Sequence, residues 1–338
     1  MDRRKNARGV MSILVTLAAL AGPYAGAGDA PTGAAQTPKS RDFLFTYAAT
    51  LTGLPPGRAA RMWLPTPSDD ADQTVTLVSQ QLPARPHSTQ EPKYGNRILY
   101  LEPQADAAGT ISLALTYRVR RIECSVKQPA GPVDAEQVRL FLRPDARVPV
   151  GGKPANLIAD KRLPTDPAAL GRYFYDLVDD RMEYRKDKPG WGTGDAEWAC
   201  DSRFGNCTDF HSLFISLART SKLPAKFEIG FGIPEKRGEG EVPGYHCWAK
   251  FLPSAVAGWI PVDISEANRH PEKRDYFFGH LCENRVAFSV GRDLVLTPKQ
   301  AGPPLNFFVY PYAEVDGEPW PADRIQKQFR YQDVDPAK

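Results

Sequence analysis

Residues 205–231, GNCTDFHSLFISLARTSKLPAKFEIGF, decide how this chain is read. Phe210, Leu213, Phe214 and Leu217 recur at the spacing that lines up apolar side chains on one face of a helix. Asn206 suits an N-cap, which makes Cys207 the first helical residue and places Asp209 in the first turn, where the macrodipole favours an acid. Cys207 falls at the edge of the apolar face. The helix is expected to end before 223–225, with AKFEIGF following as a strand. A cysteine so placed has four possible fates: buried filler, half of a disulfide, metal ligand or nucleophile. Helix N-terminal N–H groups stabilise a thiolate, whereas the nearby Asp209 opposes one. The stretch alone does not choose among the four.

Two downstream segments supply partners. If 244–252, GYHCWAKFL, is a strand, then His246, Trp248 and Lys250 share one face and Tyr245, Cys247, Ala249 and Phe251 the other. GWIPVDIS at 258–265 places Trp259, Pro261 and Asp263 on a common face. A hairpin pairing His246 with Asp263 around a loop at 253–256 brings the two Cβ atoms to about 5 Å, within reach of a carboxylate–imidazole bond. An Asp that fixes a histidine tautomer, a His that pairs with a thiolate, and a Cys that attacks a carbonyl together make a triad. A zinc set of Cys207, His211, His246 and Cys247 is the rival reading, disfavoured because Cys247 and His246 face opposite ways on the strand.

In this order, the helix-borne Cys, the His-x-Trp strand and the Gly-Trp-x-Pro-x-Asp strand resemble the transglutaminase-like superfamily of the papain-like fold. The resemblance covers about 165–315. It implies catalytic Cys207, His246 and Asp263 and thiol acyl transfer on amide bonds, by transferase, amidase or protease chemistry, with no cofactor and no metal. It also implies a protein or peptide amide substrate and, for cross-linking, a primary amine acceptor. The oxyanion would be held by the Cys207 N–H and a second, upstream donor. Trp191, Trp198 and Trp248 are candidates for that donor or for substrate contact, and Asn206 and His211 for support of the thiol. The competing class is a non-catalytic transglutaminase-like scaffold or peptide-binding module of the cell envelope. FFGHLCENRVAFSVGRDL at 277–294 looks like another stretch shared with exported members, without an assignable chemical role.

The rest of the 338 residues frames this core. MDRRKNARGV is basic, about a dozen apolar residues follow, and AGA at 25–27 offers small residues for cleavage. That is a secretory signal peptide over 1–27, too short in its apolar run for a membrane span of roughly 20 residues. The expected location is periplasmic or secreted, without stable membrane insertion after cleavage. Arg3, Arg4, Lys5 and Arg8 less Asp2 account for the whole net charge of +3, so the remainder is close to neutral and nucleic acid is not an expected partner. Five cysteines in an exported chain suggest bridges with one thiol left over, and Cys200–Cys247 is the preferred pair.

A linker is read at 28–40 and short alternating strands at 41–126, a β-sandwich domain. A Pro- and Gly-rich connector follows at 127–164. Leu170, Phe174, Leu177 and Val178 open the main domain, 165–316, as a helix capped by Thr165 or Asp166. Residues 317–338 are read as a C-terminal tail, and SEANRHPEKRD after Asp263 as a solvated loop. Helix, helix, then antiparallel strands is α+β rather than βαβ alternation. The expected fold is a papain-like/transglutaminase-like core, N-terminal helices packed on an antiparallel sheet, preceded by a β-sandwich domain.

Overall fold

Alternation along the first strand, Ser40–Leu51, buries Phe43, Phe45, Tyr47, Ala49 and Leu51 and leaves the residues between them partly exposed. The computed structural model describes residues 38–126 and 133–334; the segment read as a signal peptide and most of that read as a linker lie outside them. Ser40–Leu51 is the middle strand of a five-stranded antiparallel sheet in the order Glu239–Glu241, Ile325–Asp333, Ser40–Leu51, Ile111–Ile122, Gln73–Gln81. A second antiparallel sheet runs Glu318–Pro319, Tyr312–Val315, Arg61–Pro65, Arg97–Leu101, His87–Gln90. Inward residues of both, among them Phe45, Tyr47, Met62, Leu64, Leu101 and Leu115, share one hydrophobic core.

Two expectations change here. The segment read as a C-terminal tail supplies the strand Ile325–Asp333, with Phe45 opposite Tyr331, Tyr47 opposite Phe329 and Leu51 opposite Ile325. Its alternation of Ile325, Phe329 and Tyr331 inward explains why it pairs rather than trails. The β-domain is therefore completed by strands from the far end of the chain. The loop after Asp263 is likewise a helix, Ile264–Arg269, followed by a short 3₁₀ turn, Pro271–Lys273.

The core domain places helices against a four-stranded antiparallel sheet ordered Ile260–Val262, Tyr245–Phe251, Ala225–Gly232, Arg285–Val290. Helix Pro167–Arg181 is capped by Asp166, whose carboxylate accepts the Ala169 N–H at 2.8 Å. Helix Ala196–Ser202 lies in what reads as loop sequence, capped by Asp195. The helix Cys207–Thr220 is buried on every face from Cys207 to Arg219, not on the apolar face alone. Its polar residues are matched individually: Arg219 donates to Asp145 at 2.6 Å and to the Ala225 carbonyl at 3.0 Å, while the buried Arg292 meets Ser212 and the Gly194 carbonyl. That central helix fixes the site.

Candidate active site

Asn206 caps the Cys207 helix, its side chain accepting the Thr208 N–H at 2.9 Å. Asp209 returns the favour to the Asn206 N–H at 2.9 Å and also accepts from Gly192 at 2.7 Å and Gly194 at 2.9 Å. The acid that seemed to oppose the thiolate is thus engaged by three backbone donors, and burial raises its pKa to about 6 against those bonds. Gly205 is required by this arrangement, because a Cβ there would lie 2.4 Å from Asp209 Oδ2. Asp209→Ala is expected to cost about 3 kcal/mol or more by orphaning buried N–H groups, and to loosen the 190–194 loop beside the thiol. Urea unfolding together with Cys207 alkylation checks this; an unchanged midpoint would contradict it.

The sheet delivers the other two groups with a register different from the simple hairpin. Ala249 pairs with Val262, Lys250 with Pro261 and Phe251 with Ile260, a shift of two residues from pairing His246 with Asp263. A two-residue shift keeps every side chain on its face, so the expected meeting still occurs, diagonally, once Asp263 leaves the strand to cap Ile264–Arg269. His246 Nε2 lies 2.7 Å from Asp263 Oδ2. With that nitrogen engaged, Nδ1 is left for Cys207, to which His246 is hydrogen-bonded. Asp263 Oδ1 accepts Ser265 Oγ at 3.0 Å and the Glu266 N–H at 3.1 Å, and Oδ2 also accepts Arg285 Nη1 at 3.0 Å.

The remaining side chains sort themselves. Asn206 donates to the Tyr245 hydroxyl at 2.9 Å. His211 is fully buried; its Nδ1 lies 2.7 Å from the Cys207 carbonyl and its Nε2 accepts the Ile264 N–H at 3.1 Å. Both ring nitrogens are therefore spent on backbone, and burial lowers its pKa, which keeps it neutral. It ties the first turn of the thiol helix to the residue after Asp263. Trp248 corrects an expectation: it is fully buried, its indole N–H donates to Glu228 at 2.7 Å, and it cannot touch a substrate. Trp198 packs edge-on against Phe204, its backbone N–H bonded to Asp195, and Trp191 lies beneath the Lys186 ammonium. Neither lines the cleft described next.

All five cysteines are free thiols, so the preferred Cys200–Cys247 bridge is not formed. Cys247 points instead at the helix. Its sulfur is 3.7 Å from His211 Nδ1 and hydrogen-bonds with Cys207. Burial pushes the Cys247 thiol well up, so it remains the S–H donor of the pair. Face alternation separated it from His246 but directed it toward the helix, a consequence the sequence reading overlooked. Arg285 and Tyr245 were overlooked too. Tyr245 shares the Cys247 face, whereas a single arginine in an apolar strand carries no local signal.

Burial opposes ionisation of Cys207, but the bonds from Cys247 and His246 and the charge of His246 hold its pKa well below the ordinary thiol value. His246 is also opposed by burial, and Asp263 and Cys207 raise it to about 10. Asp263 is driven well below the usual carboxylate range, against burial, by His246 and Arg285. The arrangement is a thiolate–imidazolium pair. A raised His246 alone stabilises the fold fully below about pH 6.5, losing this as pH climbs towards 10; a lowered Cys207 alone stabilises above about 8.5, losing this as pH falls. Between about 6.5 and 8.5 each state holds one proton on the pair, on His246 when folded and on Cys207 when unfolded, so stability is level there and falls on either side. Denaturant unfolding across pH is expected to show this plateau, and Cys207→Ala to replace it with a decline starting near the ordinary histidine pKa.

Cys207 is 2% exposed. His246, with a side chain 14% exposed, opens onto a cleft of about 930 Å³ whose lining includes Tyr184, Tyr245, Arg269, Tyr276 and Arg285. A second cavity of about 520 Å³, around Asp70, Lys226, Glu228 and Trp259, is lined by none of Cys207, His246 and Asp263.

Residues 157–264, which include Cys207, His246 and Asp263, match the transglutaminase-like superfamily core. That segment is a transglutaminase-like superfamily domain. The chain is 26% identical over 315 residues to an uncharacterized protein of Haemophilus influenzae, covering 80% of this chain and 84% of that one. A structure named as a candidate cysteine protease from Cytophaga hutchinsonii shares the fold at TM-score 0.56 and 15% identity, covering 87% of this chain and 98% of the other. The periplasmic domain of TgpA from Pseudomonas aeruginosa is more distant, at TM-score 0.38 and 15% identity over 72% of this chain and 98% of that one.

Proposed function

We propose that the protein is a thiol acyl-transfer enzyme acting on amide bonds of a protein or peptide through Cys207, His246 and Asp263. The observation that carries this reading is the position of His246, bonded through Nε2 to a buried carboxylate at 2.7 Å and hydrogen-bonded to a thiol at a helix N-terminus. In the first half-reaction Cys207 Sγ attacks the amide carbonyl, and the Cys207 N–H faces the developing oxyanion. The tetrahedral adduct collapses as His246 gives its proton to the departing amine, leaving a thioester. His246, now neutral, takes a proton from water or from an amine as it attacks, and the breaking thioester bond releases the acid or the new amide and restores the thiolate–imidazolium pair. Asp263 holds the imidazole in place throughout and is not itself protonated. The basic and apolar segment at 1–27 supports export to the periplasm or beyond. Among the described residues no helix is long and apolar enough to cross a membrane.

Two measurements test this. Iodoacetamide labelling at neutral pH, mapped by peptide mass spectrometry, is expected to find one fast thiol, Cys207, distinct from Cys282 at the cleft. Uniformly slow labelling would argue for a scaffold. Glutamine-containing peptides with and without a primary amine then separate transfer, seen as amine incorporation, from hydrolysis, seen as release of ammonia or peptide alone.

A further inference from the structure

We propose that Arg285 is a positioning residue of this reaction: by occupying the Asp263 oxygen that His246 also uses, it fixes the carboxylate and limits how tightly the imidazolium is held. The inference rests on the thiol acyl-transfer reading. Arg285 opens the edge strand Arg285–Val290 and is 2% exposed. Its Nη1 donates to Asp263 Oδ2 at 3.0 Å, the atom that His246 Nε2 meets at 2.7 Å. Its Nη2 reaches the Cys282 sulfur at 3.5 Å, and the guanidinium carbon lies 5.0 Å over the Trp248 ring. Trp248 stands two residues beyond His246 on the same strand face, so one indole backs both the arginine and, at 6.1 Å between rings, the histidine. The fold thus holds two cationic groups on a single carboxylate oxygen.

The other groups around this oxygen do not duplicate the charge. From the thiol helix come Cys207, the anion of the pair, and His211, kept neutral by burial. From the His246 strand comes Cys247, and from Pro167–Arg181 comes Tyr175; burial raises both and leaves them uncharged. From the segment that Asp263 caps comes Glu266, paired with Arg269 at 2.7 Å. Tyr276 and Cys282 flank Arg285 from the loop before it, with Tyr276 bonded to Glu123. Among the described residues, Arg285 is the fixed positive charge in contact with Asp263, since a guanidinium does not lose its proton.

The consequence is chemical. Asp263 must stabilise imidazolium enough to form the ion pair, yet His246 must still release its proton to the departing amine. A second cation on the oxygen that His246 also meets opposes that proton by about one pH unit or more. Without it, His246 would be the weaker acid.

Iodoacetate reads this directly. Being an anion, it is drawn by the imidazolium, so its reaction with Cys207 falls when His246 deprotonates, and the midpoint of that alkaline limb reports the histidine. Labelling of Cys207 is followed by peptide mass spectrometry in the full chain and in Arg285→Met, Arg285→Gln and Arg285→Lys. The limb is expected to move up by about one pH unit in Met and Gln, which lack the charge, and to stay within about 0.3 in Lys, which keeps it while losing the fork and some rate. A limb that stays put in Met and Gln, or moves as far in Lys, overturns the proposal. Lys carries the test where a neutral side chain prevents folding. A wild-type protein with no fast Cys207 overturns the enzyme reading itself, which is a different result from an unmoved limb.

Discussion

His246→Ala is expected to slow the reaction of Cys207 with iodoacetamide at pH 7 by at least about a hundredfold, which corresponds to a thiol pKa raised by two units or more. Burial is the largest influence on Cys207 and acts against the thiolate. The bond and charge of His246 overcome it; once they are gone, the Cys247 hydrogen bond and the helix terminus remain. The deficit should shrink as pH rises, because an unassisted thiol ionises in alkali, and rates measured from about pH 6 to 10 would show the two curves converging. Stability should fall by only about 1–2 kcal/mol, since Asp263 keeps its bonds from Arg285, Ser265 and the Glu266 N–H. A variant that reacts as fast as wild type at pH 7 would remove His246 from the site.

The contrast between what the sequence disclosed and what it hid follows from the range of each signal. Cys207, His246 and Asp263 could be found because each sits in a short periodic segment whose face is set by helix or strand geometry. That geometry tolerated an error: the hairpin register was off by two, and two preserves the face. The C-terminal strand escaped because pairing of Ile325–Asp333 with Ser40–Leu51 spans almost the whole chain, and alternation tells that a strand exists, not where it goes. The all-round burial of the Cys207 helix escaped for a related reason. Thr208, Ser212 and Ser216 lie off the apolar face, and they are covered because distant groups come to meet them, as Arg292 meets Ser212 and the Pro149 carbonyl meets Ser216. Disulfide arithmetic misled because cysteine count says nothing of distance; Cys247 turns its sulfur to His211 and Cys207 instead.

Asp263→Asn should lower turnover by roughly three to four orders of magnitude, the scale seen when a triad carboxylate becomes an amide and the histidine tautomer is no longer enforced. It should also destabilise the fold more than His246→Ala does, by about 3–5 kcal/mol, because a fully buried Arg285 loses its anion. The amide oxygen can still accept the Glu266 N–H, so the cap on Ile264–Arg269 survives and does not confuse the comparison. The pH dependence has a definite sign. Asp263 is depressed in the folded protein, so its contribution is fully present above the ordinary carboxylate pKa of about 3.9 and is lost as pH falls further. Urea unfolding of wild type and variant should therefore differ by a constant amount from about pH 7 to 5 and converge below about pH 4. Equal stability at neutral pH would mean that the carboxylate does not carry the charge that His246 and Arg285 share. Lost turnover with the deficit in place would instead tie the chemistry and the fold to the same oxygen.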